Sequence, residues 1–498
     1  MYILGYDSGT SSVKATLMDA QAGTIVAACS WPQTEMPIHS PQAGFAEQDP
    51  AMWWDALKGA TAGVLSKSGV NPADIKAIGI SYQMHGLVCV DKRMAVVRPA
   101  IIWCDSRAVT LGQKAAKSIG EEKCLKNLLN LPGNFTASKL KWVKDNESDN
   151  FNRVFKIMLP GDWLAMKMTG RAVTTASGLS EMILWDFVGR KPASFLMDYY
   201  GFDTSLLPEL VPTFDTQGTL TADAAAELGL KAGTPIAYRA GDQPNNALSL
   251  NVLNPGEIAA TAGTSGVIYG ISDKPAYDAQ SRVNSFLHVN DSPAAARNGV
   301  LLCVNGTGRL NSWLKQTLMG GKDYPEMNAL AASVPVGSDG LIVLPFGNGA
   351  ERTLENRNIG ASIQHLALNT HHLGHILRAS QEGIVFALNY GLEIMKQMGL
   401  SIHTVRAGKA NMFLSDIFAS TFASLTGAAV ELYNTDGSQG AARGAGIGVG
   451  IYKSAPEAFR TLKKLQTIDP DPKIQSACKD AYAAWQKALG ANLGSQTI

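Results

Sequence analysis

The sequence predicts an α/β protein built from two similar halves, and two observations lead to this class. Strand-like runs alternate with helical periodicity along the chain, and its 49 glycines and 22 prolines are typical of many tight connections. The string Gly-Thr-Ser-x-Val also occurs twice, at Gly9–Val13 and Gly263–Val267, and each copy stands between two strand-like runs. Because repetition in a matching context indicates a duplicated fold, we expect two related halves.

The repeated string is also the first functional signal. A glycine in a strand–turn–strand connection lets neighbouring backbone N–H groups point outward together, and Thr and Ser hydroxyls add further donors. Two such hairpins predict a polyphosphate held between the halves. A single Gly/Thr/Ser hairpin is more often an ordinary turn, but the pair in matching context favours the phosphate interpretation.

Composition and charge exclude several classes of function. The length of 498 residues allows two to four domains, and 46% hydrophobic with 17% charged residues is typical of an ordinary globular protein. The net charge of +1 gives no field that would recruit nucleic acid or an anionic membrane. We find no apolar run long enough for a membrane span and no secretory signal. We therefore expect a cytoplasmic protein with no nucleic-acid or membrane partner.

The cysteines are scattered, without a C-x-x-C pair or a Cys/His ligand cluster. This pattern predicts buried free thiols in a reducing compartment. The six cysteines are Cys29, Cys89, Cys104, Cys124, Cys303 and Cys478.

The elements of the first half follow from periodicity and from helix start signals. Asp49 is suited to cap a helix and Pro50 to be its first residue. Small and β-branched residues predict a buried strand at 77–81, which delivers Gln83-Met84-His85-Gly86 at its C-terminal edge, where open α/β sheets bind ligands. The other predicted elements of this half are strands at 2–6, 13–18, 24–31 and 235–240, and helices at 106–130, 136–146, 161–169 and 245–251.

The strand–turn–strand pattern restarts after Pro255, with predicted strands at 257–262 and 267–271. We therefore predict two domains, residues 1–245 and 246–498.

Two small-residue segments of the second half, 407–411 and 435–444, are predicted as loops. Their composition suits close approach to a flat ligand, and tight helix–sheet packing is an equal alternative. His371, His372 and His375 have no carboxylate or cysteine at ligand spacing, so we expect them around a helix start rather than on a metal.

Two aspartates stand where phosphoryl transfer needs carboxylates. Asp7 immediately precedes the first hairpin, and a carboxylate beside phosphates favours a bridging Mg²⁺; the alternative is an Asx-turn cap. Asp242 follows Gly241 at the junction of the halves and is suited to take the proton of an acceptor hydroxyl. The alternative is N-capping of the following helix, and both roles can hold together.

A second group of residues suits a sugar. Met84 and His85 offer an apolar wall and an imidazole at a strand edge, which is what a sugar requires. Asp105 and Arg107 form a carboxylate–guanidinium pair close to Trp103, which we interpret as architecture rather than as ligand contact.

A set of motifs occurs in one fixed order along essentially the whole chain. This set resembles the FGGY carbohydrate kinases, most closely their xylulokinase branch. The motifs are Asp7-x-Gly9-Thr10-Ser11-Ser12, Glu47-Gln48-Asp49-Pro50, Gln83-Met84-His85-Gly86, Ile102-Trp103-x-Asp105-x-Arg107, Phe135-Thr136-Ala137-Ser138-Lys139-Leu140-x-Trp142-Val143, Gly241-Asp242, Ala262-Gly263-Thr264-Ser265-Gly266-Val267, Glu351-Arg352 and Gly440-Ala441-Ala442.

The resemblance implies two ribonuclease H-like domains of the actin/hexokinase ATPase type around an interdomain cleft, with ATP and Mg²⁺. It implies Asp242 as the general base, Asp7 near the magnesium, and sugar contacts from Met84, His85, Asp242 and Gln243. The implied nucleotide contacts are Thr10, Ser11, Ser12, Lys14, Gly263, Thr264, Gly308, Gly408 and Asn411.

The implied reaction is ATP-dependent phosphorylation of a ketopentose, most closely D-xylulose to D-xylulose 5-phosphate. Alternatives are a kinase for L-ribulose, L-xylulose or glycerol, and an actin- or chaperone-type ATPase that uses no sugar. A homodimer is one expectation for its assembly.

The chain departs from the family pattern at several positions. Gln243 stands where xylulokinases usually carry Asn, and Asn134 stands at a usual glycine. His365-Leu366 weakens the second signature, and the adenosine loop around Gly408 lacks a glycine triplet. These departures bear on the choice of sugar and on nucleotide affinity.

Overall fold

The computed structural model describes residues 1–494, and contacts within it divide the chain into two compact units, each assembled from three segments. The first change of unit, after Leu253, lies close to the predicted boundary at 245–246, although a single boundary does not describe the later segments. The assignment of 1–245 and 246–498 as functional domains stays a prediction. Unit 1 contains Met1–Leu253, Phe286–Asn298 and Thr435–Leu462, and unit 2 contains Asn254–Ser285, Gly299–Asn434 and Lys463–Ile498.

The strands lie in two large sheets and several two-stranded ones. They are β1 Tyr2–Ser8, β2 Val13–Asp19, β3 Ile25–Trp31, β4 Glu47–Gln48, β5 Ile75–Tyr82, β6 Val88–Val90, β7 Ala100–Ile101, β8 Lys156–Met158, β9 Val173–Thr174, β10 Trp185–Asp186, β11 Lys191–Pro192, β12 Glu209–Leu210, β13 Phe214–Thr219, β14 Pro235–Gly241, β15 Glu257–Ala262, β16 Gly266–Ser272, β17 Asn284–Leu287, β18 Asn298–Val304, β19 Ile342–Phe346, β20 Gly360–Gln364, β21 Thr404–Gly408, β22 Ala429–Tyr433 and β23 Lys464–Ile468.

The α-helices range from a single turn to seven turns. They are α1 Pro50–Ser68, α2 Val109–Ile119, α3 Glu121–Leu128, α4 Thr136–Asn146, α5 Ser148–Arg153, α6 Pro160–Thr169, α7 Ala176–Glu181, α8 Ser194–Tyr200, α9 Ala222–Leu228, α10 Asp242–Ser249, α11 Thr307–Thr317, α12 Tyr324–Ala332, α13 Leu373–Gln397, α14 Asp416–Thr426, α15 Gly437–Gly448, α16 Ala455–Ala458 and α17 Pro472–Gly494. Short 3₁₀ helices occur at Pro72–Asp74, Thr204–Leu206, Ser338–Gly340, Arg352–Leu354 and Asn411–Leu414.

The two large sheets repeat one topology, which confirms the predicted duplication. The first sheet has the order β13-β14-β5-β1-β2-β3, and the second has the order β17-β18-β16-β15-β21-β22-β23. In the first, β1 pairs antiparallel with β2 and parallel with β5, β14 is parallel to β5, and β13 is antiparallel to β14. The strands β16, β15, β21, β22 and β23 repeat this sequence of directions.

The start of α1 confirms the predicted cap. The Asp49 carboxylate accepts the N–H of Ala51 at 2.9 Å, and Pro50 is the first helical residue. The helix ends at Gly69, whose φ of 63° only glycine adopts without strain.

Two helix predictions are wrong in their bounds. The helix expected at 106–130 is two helices, because Gly120 adopts φ 102° between them and breaks the hydrogen-bonded ladder. The helix expected at 245–251 begins earlier, at Asp242.

The segment predicted as a loop at 435–444 is wrong as well, because most of it forms α15. A Cβ on Gly5 would lie 1.9 Å from the Ser438 carbonyl oxygen, and one on Gly79 would lie 2.0 Å from that of Ala441. The small residues of this segment therefore serve helix–sheet packing, the alternative interpretation.

The histidine and cysteine predictions have different outcomes. His372 is the N-cap of α13 and accepts the N–H of Gly374 at 3.1 Å, as expected for a helix start. All six cysteines are free thiols, as predicted, but only Cys89, Cys124 and Cys478 are buried, whereas Cys29 and Cys303 are half-buried and Cys104 is exposed.

Each unit has its own apolar core. In unit 1, residues of β1, β14 and α15 pack together, including Ile3, Tyr238 and Ala442. In unit 2, the core gathers residues of β15, β18, α13, α14 and α17. Among residues 1–494, no helix is both long enough and apolar enough to cross a bilayer.

Candidate active site

The first hairpin presents two consecutive amides on one side. The Thr10 carbonyl accepts a hydrogen bond from Gln48 Nε2 at 2.8 Å, and the Ser11 carbonyl accepts the N–H of Met36 at 2.8 Å. In a trans peptide the carbonyl and the following N–H point in opposite directions. The N–H groups of Ser11 and Ser12 therefore face away from these partners, as a phosphate cradle requires.

The second hairpin repeats this arrangement with different partners. The Gly263 carbonyl accepts the N–H of Gly308 at 2.9 Å, and the Thr264 carbonyl accepts the N–H of Arg309 at 3.1 Å. By the same peptide geometry, the N–H groups of Thr264 and Ser265 point away from α11. Each string thus directs two consecutive amides away from its carbonyl partners, and the pair lies one position earlier in the second string than in the first.

A cavity of about 400 Å³ lies beside the second hairpin, within unit 2. Five residues of the second half were predicted to contact nucleotide, and four of them line this cavity: Gly263, Thr264, Gly308 and Asn411. The fifth residue, Gly408, ends β21 and does not line the cavity. The other lining residues are Ala262, Asn311, Ser312, Tyr324, Asn328, Met412, Leu414 and Ser415.

Asp7 lies near the end of β1 and is closely surrounded. Its Oδ1 accepts the Ser81 hydroxyl at 2.7 Å, and a Cβ on Gly437 would lie 2.3 Å from its Oδ2. Burial raises the pKa of Asp7, and the negative charge of Asp436 raises it further. A cation at this carboxylate would offset both effects.

Asp436 is a site residue that the sequence reasoning missed. It caps α15 by accepting the N–H of Gln439 at 3.1 Å, and it forms a 2.7 Å ion pair with Lys14. Burial opposes its ionisation, but the charge of Lys14 and hydrogen bonds from Lys14, Ser438 and Gln439 lower the pKa of Asp436. An Asp before a small-residue run was the available signal, since Asp is a favoured N-cap.

The surroundings of Asp7 fit a magnesium ion. No cluster of three or more Asp, Glu, His or Cys side chains suited to a metal occurs within residues 1–494, so the chain provides no complete metal cage in that range. Mg²⁺ is usually bound by one or two carboxylates together with water and phosphate oxygens. Asn245 Nδ2 donates to the carbonyl of Gly437 at 2.8 Å, and the buried Asn245 Oδ1 has no protein partner within the described chain. This oxygen would suit a hydrated cation near Asp7.

Asp242 is the first residue of α10, directly after β14. Asp242 is not the N-cap residue, because Gly241 occupies that position, but its carboxylate still accepts hydrogen bonds from backbone N–H groups of the first turn. Burial raises the pKa of Asp242 to about 7, the charge of Asp7 adds to this effect, and hydrogen bonds from Gln243 oppose it. A carboxylate with such a pKa is a suitable proton acceptor near neutral pH.

Met84 lies beside the strand end that precedes this aspartate, and His85 is the next residue along the chain. A Cβ on Gly241 would lie 2.6 Å from Met84 Cγ, so the strand end carrying Met84 directly contacts the one preceding Asp242. His85 adopts φ 60°. Its Nδ1 lies 3.0 Å from the Glu181 carbonyl oxygen, and its ring packs edge-on against Phe135 at 4.9 Å.

Two buried ionisable residues behind this strand end were not predicted. Glu181 accepts the Tyr82 hydroxyl at 2.5 Å, and burial raises the pKa of its carboxyl well above the usual value. Lys139 donates to the carbonyls of His85 at 2.9 Å and Ile102 at 3.0 Å, and burial lowers the pKa of its amine to about 7.

The segment around Arg107 is architectural, as interpreted from the sequence. The Arg107 guanidinium forms ion pairs with Asp105 at 2.7 Å and Glu47 at 2.8 Å, and it stacks 3.7 Å from the Phe45 ring centroid. Trp103 differs, because its side chain is exposed and its Nε1 donates to the Thr10 hydroxyl at 2.9 Å.

Comparison with known proteins agrees with this geometry. Residues 2–249 match the N-terminal domain of the FGGY family of carbohydrate kinases, and residues 258–448 match its C-terminal domain. The chain is 30% identical to xylulose kinase from Lactococcus lactis, over 98% of this chain and 96% of that protein. It is 29% identical to L-xylulose/3-keto-L-gulonate kinase from Escherichia coli, over 99% and 97% respectively. The crystal structure of xylulose kinase from Rhodospirillum rubrum superposes with a TM-score of 0.88 at 26% identity, covering 99% of both chains.

Proposed function

The chain belongs to the FGGY family of carbohydrate kinases, and on this premise we propose that it phosphorylates a ketopentose with ATP, converting D-xylulose to D-xylulose 5-phosphate. The family assignment gives the carbohydrate kinase activity and the two-domain fold of the actin/hexokinase type. The identity of the sugar, the general base and the roles of the individual residues are proposals. Because the family consists of carbohydrate kinases, an actin- or chaperone-type ATPase that uses no sugar is excluded as the function.

The observation that carries the proposal is the state of Asp242. Its carboxylate is only partly exposed and has no ion pair among the described residues, and it follows a strand end that touches Met84. It is the first residue of α10 rather than its N-cap residue. A carboxylate held in this way is available to accept a proton from a bound hydroxyl.

In the proposed reaction, Asp242 takes the proton of the terminal sugar hydroxyl. The oxygen attacks the γ-phosphorus of ATP in line, a new P–O bond forms, and the bond to the β–γ bridging oxygen breaks to release ADP. Met84 provides an apolar wall for the sugar, and His85 and Gln243 provide hydrogen-bonding groups. The site residues also exclude water, which would otherwise compete as acceptor.

Each unit contains proposed nucleotide-binding residues of its own. The amides of Ser11 and Ser12 and the ammonium of Lys14 would bind phosphate oxygens from the first hairpin, where the Thr10 side chain supports the turn. Gly263, Thr264, Gly308 and Asn411 would contact the nucleotide from unit 2, with Gly408 supporting the same loop. Asp7 would hold Mg²⁺, which when bound neutralises phosphate charge.

Charge favours an uncharged sugar over a carboxylated one. A Cβ on Gly241 would lie 3.0 Å from Glu181 Oε2, so Asp242 and Glu181 place two acidic groups beside the proposed sugar position. A sugar acid would be repelled by ionised members of this group. L-Xylulose is the second candidate, because the Escherichia coli relative is named for it. L-Ribulose and glycerol are weaker candidates, and a homodimer in the cytoplasm stays a prediction.

The test is a panel of purified sugars with coupled detection of ADP. We expect D-xylulose to give the highest kcat/KM among D-xylulose, L-xylulose, L-ribulose, glycerol and 3-keto-L-gulonate. A higher value for any other compound would replace D-xylulose as the substrate. ADP release that no sugar stimulates would contradict the proposed reaction itself.

A further inference from the structure

Gln48 is a buried amide that joins the first hairpin to the strand end that carries Met84. Its side chain is 1% exposed. Its Nε2 donates to the carbonyls of Thr10 at 2.8 Å and Pro37 at 3.3 Å. Its Oε1 accepts Trp53 Nε1–H at 3.0 Å and Gln83 Nε2–H at 3.2 Å. Every donor and acceptor of this amide is therefore in use.

The orientation of this amide is fixed by its partners. The carbonyls of Thr10 and Pro37 can only accept, and the indole N–H of Trp53 can only donate. If the amide of Gln48 were rotated by half a turn, its NH₂ group would face the N–H of Trp53 and its oxygen would face the carbonyls of Thr10 and Pro37. The positions of its oxygen and nitrogen are therefore determined by these partners.

Gln83 extends the connection on the other side. Its Oε1 accepts the Thr10 hydroxyl at 3.2 Å, and its backbone N–H donates to the Ser8 carbonyl at 2.9 Å. The next two residues along the chain are Met84 and His85. The same side chains therefore hold the hairpin and the strand end together.

The Thr10 hydroxyl has a defined role in this network. It accepts Trp103 Nε1–H at 2.9 Å and gives its own proton to Gln83. Trp103 and Gln83 therefore occupy the hydroxyl of Thr10 as acceptor and donor. The hairpin offers its backbone amides, rather than this hydroxyl, to a phosphate. This modifies the expectation that every hydroxyl of the string adds a donor.

We propose that Gln48 is a positioning residue for both substrates. Through Thr10 it sets the direction of the Ser11 amide, and through Gln83 it holds the strand end that carries Met84. The inference rests on the proposed placement of phosphates at the hairpin and of sugar at Met84 and His85. Loss of the amide would leave the buried N–H groups of Trp53 and Gln83 and the part-buried carbonyls of Thr10 and Pro37 without this partner, so both binding surfaces would move.

Gln217 provides a matched control. It is also 1% exposed, and its Nε2 also donates to two main-chain carbonyls, those of Pro212 at 3.0 Å and Thr213 at 3.1 Å. Neither of these carbonyls belongs to a residue of the proposed site, and the Gln217 Oε1 has no protein partner among residues 1–494. Gln217→Met therefore measures the structural effect of losing a buried amide that donates two hydrogen bonds.

The experiment compares Gln48→Met and Gln217→Met with the wild type in KM for ATP and KM for the sugar that the panel prefers. We expect Gln48→Met to raise both KM values by about 5-fold or more, the size of one or two lost buried hydrogen bonds. Both variants should melt at a lower temperature, and Gln217→Met should leave both KM values unchanged. Unchanged KM values in folded Gln48→Met, a change in only one of them, or equal changes in Gln217→Met would overturn the inference.

A second pair of variants keeps the test valid if Gln48→Met does not fold. Thr10→Val removes the hydroxyl that links Gln83 and Trp103 while keeping its shape, and Thr10→Ser restores it. We expect both KM values to rise in Thr10→Val and to return in Thr10→Ser, and no difference between the two would count against the network. If no sugar is phosphorylated by the wild type, the proposed function fails separately. Equal ADP affinities of wild type and Gln48→Met by calorimetry would then still overturn the nucleotide half of the inference.

Discussion

Lys14 Nζ lies 2.7 Å from Asp436 Oδ2, although the two residues are 422 positions apart in the chain. The contact joins β2, directly after the first hairpin, to the start of α15. Both residues belong to unit 1, in which α15 also packs closely on Gly5 and Gly79 of the first large sheet. The proposed phosphate-binding lysine is therefore held in place by a residue near the other end of the sequence.

Removing the ammonium should weaken nucleotide binding. We expect Lys14→Met to raise the KM for ATP about 10-fold or more, because one charge-assisted hydrogen bond to phosphate is lost. The sugar KM should change little. Initial-rate kinetics with each substrate varied in turn will measure this, and an unchanged ATP KM would remove Lys14 from the nucleotide site.

The capping role and the charge role of Asp436 can be tested separately with two substitutions. Asp436→Ala removes both and should lower the free energy of unfolding by about 1 kcal/mol or more, as expected for a lost N-cap. Asp436→Asn keeps a capping oxygen and should cost less. Urea unfolding of the two variants decides this, and equal losses would mean that the cap contributes nothing.

The pH profile follows from the raised pKa of Asp242, which is about 7. A base must be ionised to accept a proton, so kcat/KM should rise with pH through about 7 and level off above it. Below this range each pH unit should lower kcat/KM about 10-fold. A flat profile between pH 5 and 8 would be inconsistent with Asp242 as the base.

The same pKa predicts how stability changes with pH. Because the pKa of Asp242 is higher in the folded protein than its ordinary value of 3.8, the folded state binds more protons between about pH 4 and 7. The contribution of this group to stability therefore falls as pH rises through that window. Asp242→Asn should abolish this part of the dependence in thermal melts, and an unchanged dependence would show that other groups cause it.

Gly437 should be intolerant of any side chain because of Asp7. A Cβ there would lie 2.3 Å from Asp7 Oδ2, and the carboxylate has little room to move beside Ser81. We expect Gly437→Ala to raise the Mg²⁺ concentration needed for half-maximal activity. Gly490→Ala is the control, since a Cβ at Gly490 meets no atom within 4 Å. Equal Mg²⁺ requirements in both variants would argue against the metal role of Asp7.

Gly308 tests the second hairpin in the same manner. A Cβ there would lie 2.2 Å from the Gly263 carbonyl oxygen, which would push α11 away from the hairpin. Gly308→Ala should therefore raise the KM for ATP with little change in the sugar KM. A sugar KM that rises by the same factor would point to general unfolding instead.

Local signals in the sequence were sufficient for much of the fold. The N-cap at Asp49, the helix at Thr136–Asn146 and both hairpins depend on neighbouring residues, and their bounds agree closely with the structure. Gly120 lies inside an otherwise continuous helical pattern, and hydrophobic periodicity does not report its positive φ.

The site was predictable only where a residue stands beside a motif. Asp7 and Asp242 flank recognisable turns, whereas Asp436, Glu181 and Lys139 reach the site through long-range packing. The segment containing Asp436 was predicted as a loop because its small residues suit a loop and a closely packed helix equally well. The network around Gln48 likewise depends on contacts between distant segments.

The central claim is that a strand-end aspartate accepts the proton of a sugar hydroxyl during phosphoryl transfer. Its most direct test is single-turnover formation of the sugar phosphate by Asp242→Asn, with ATP and sugar both saturating. We predict that the rate of this step falls by about 10²- to 10⁴-fold while ADP and sugar still bind with near wild-type affinity. A variant that forms the phosphate ester at a rate close to that of the wild type would contradict the account.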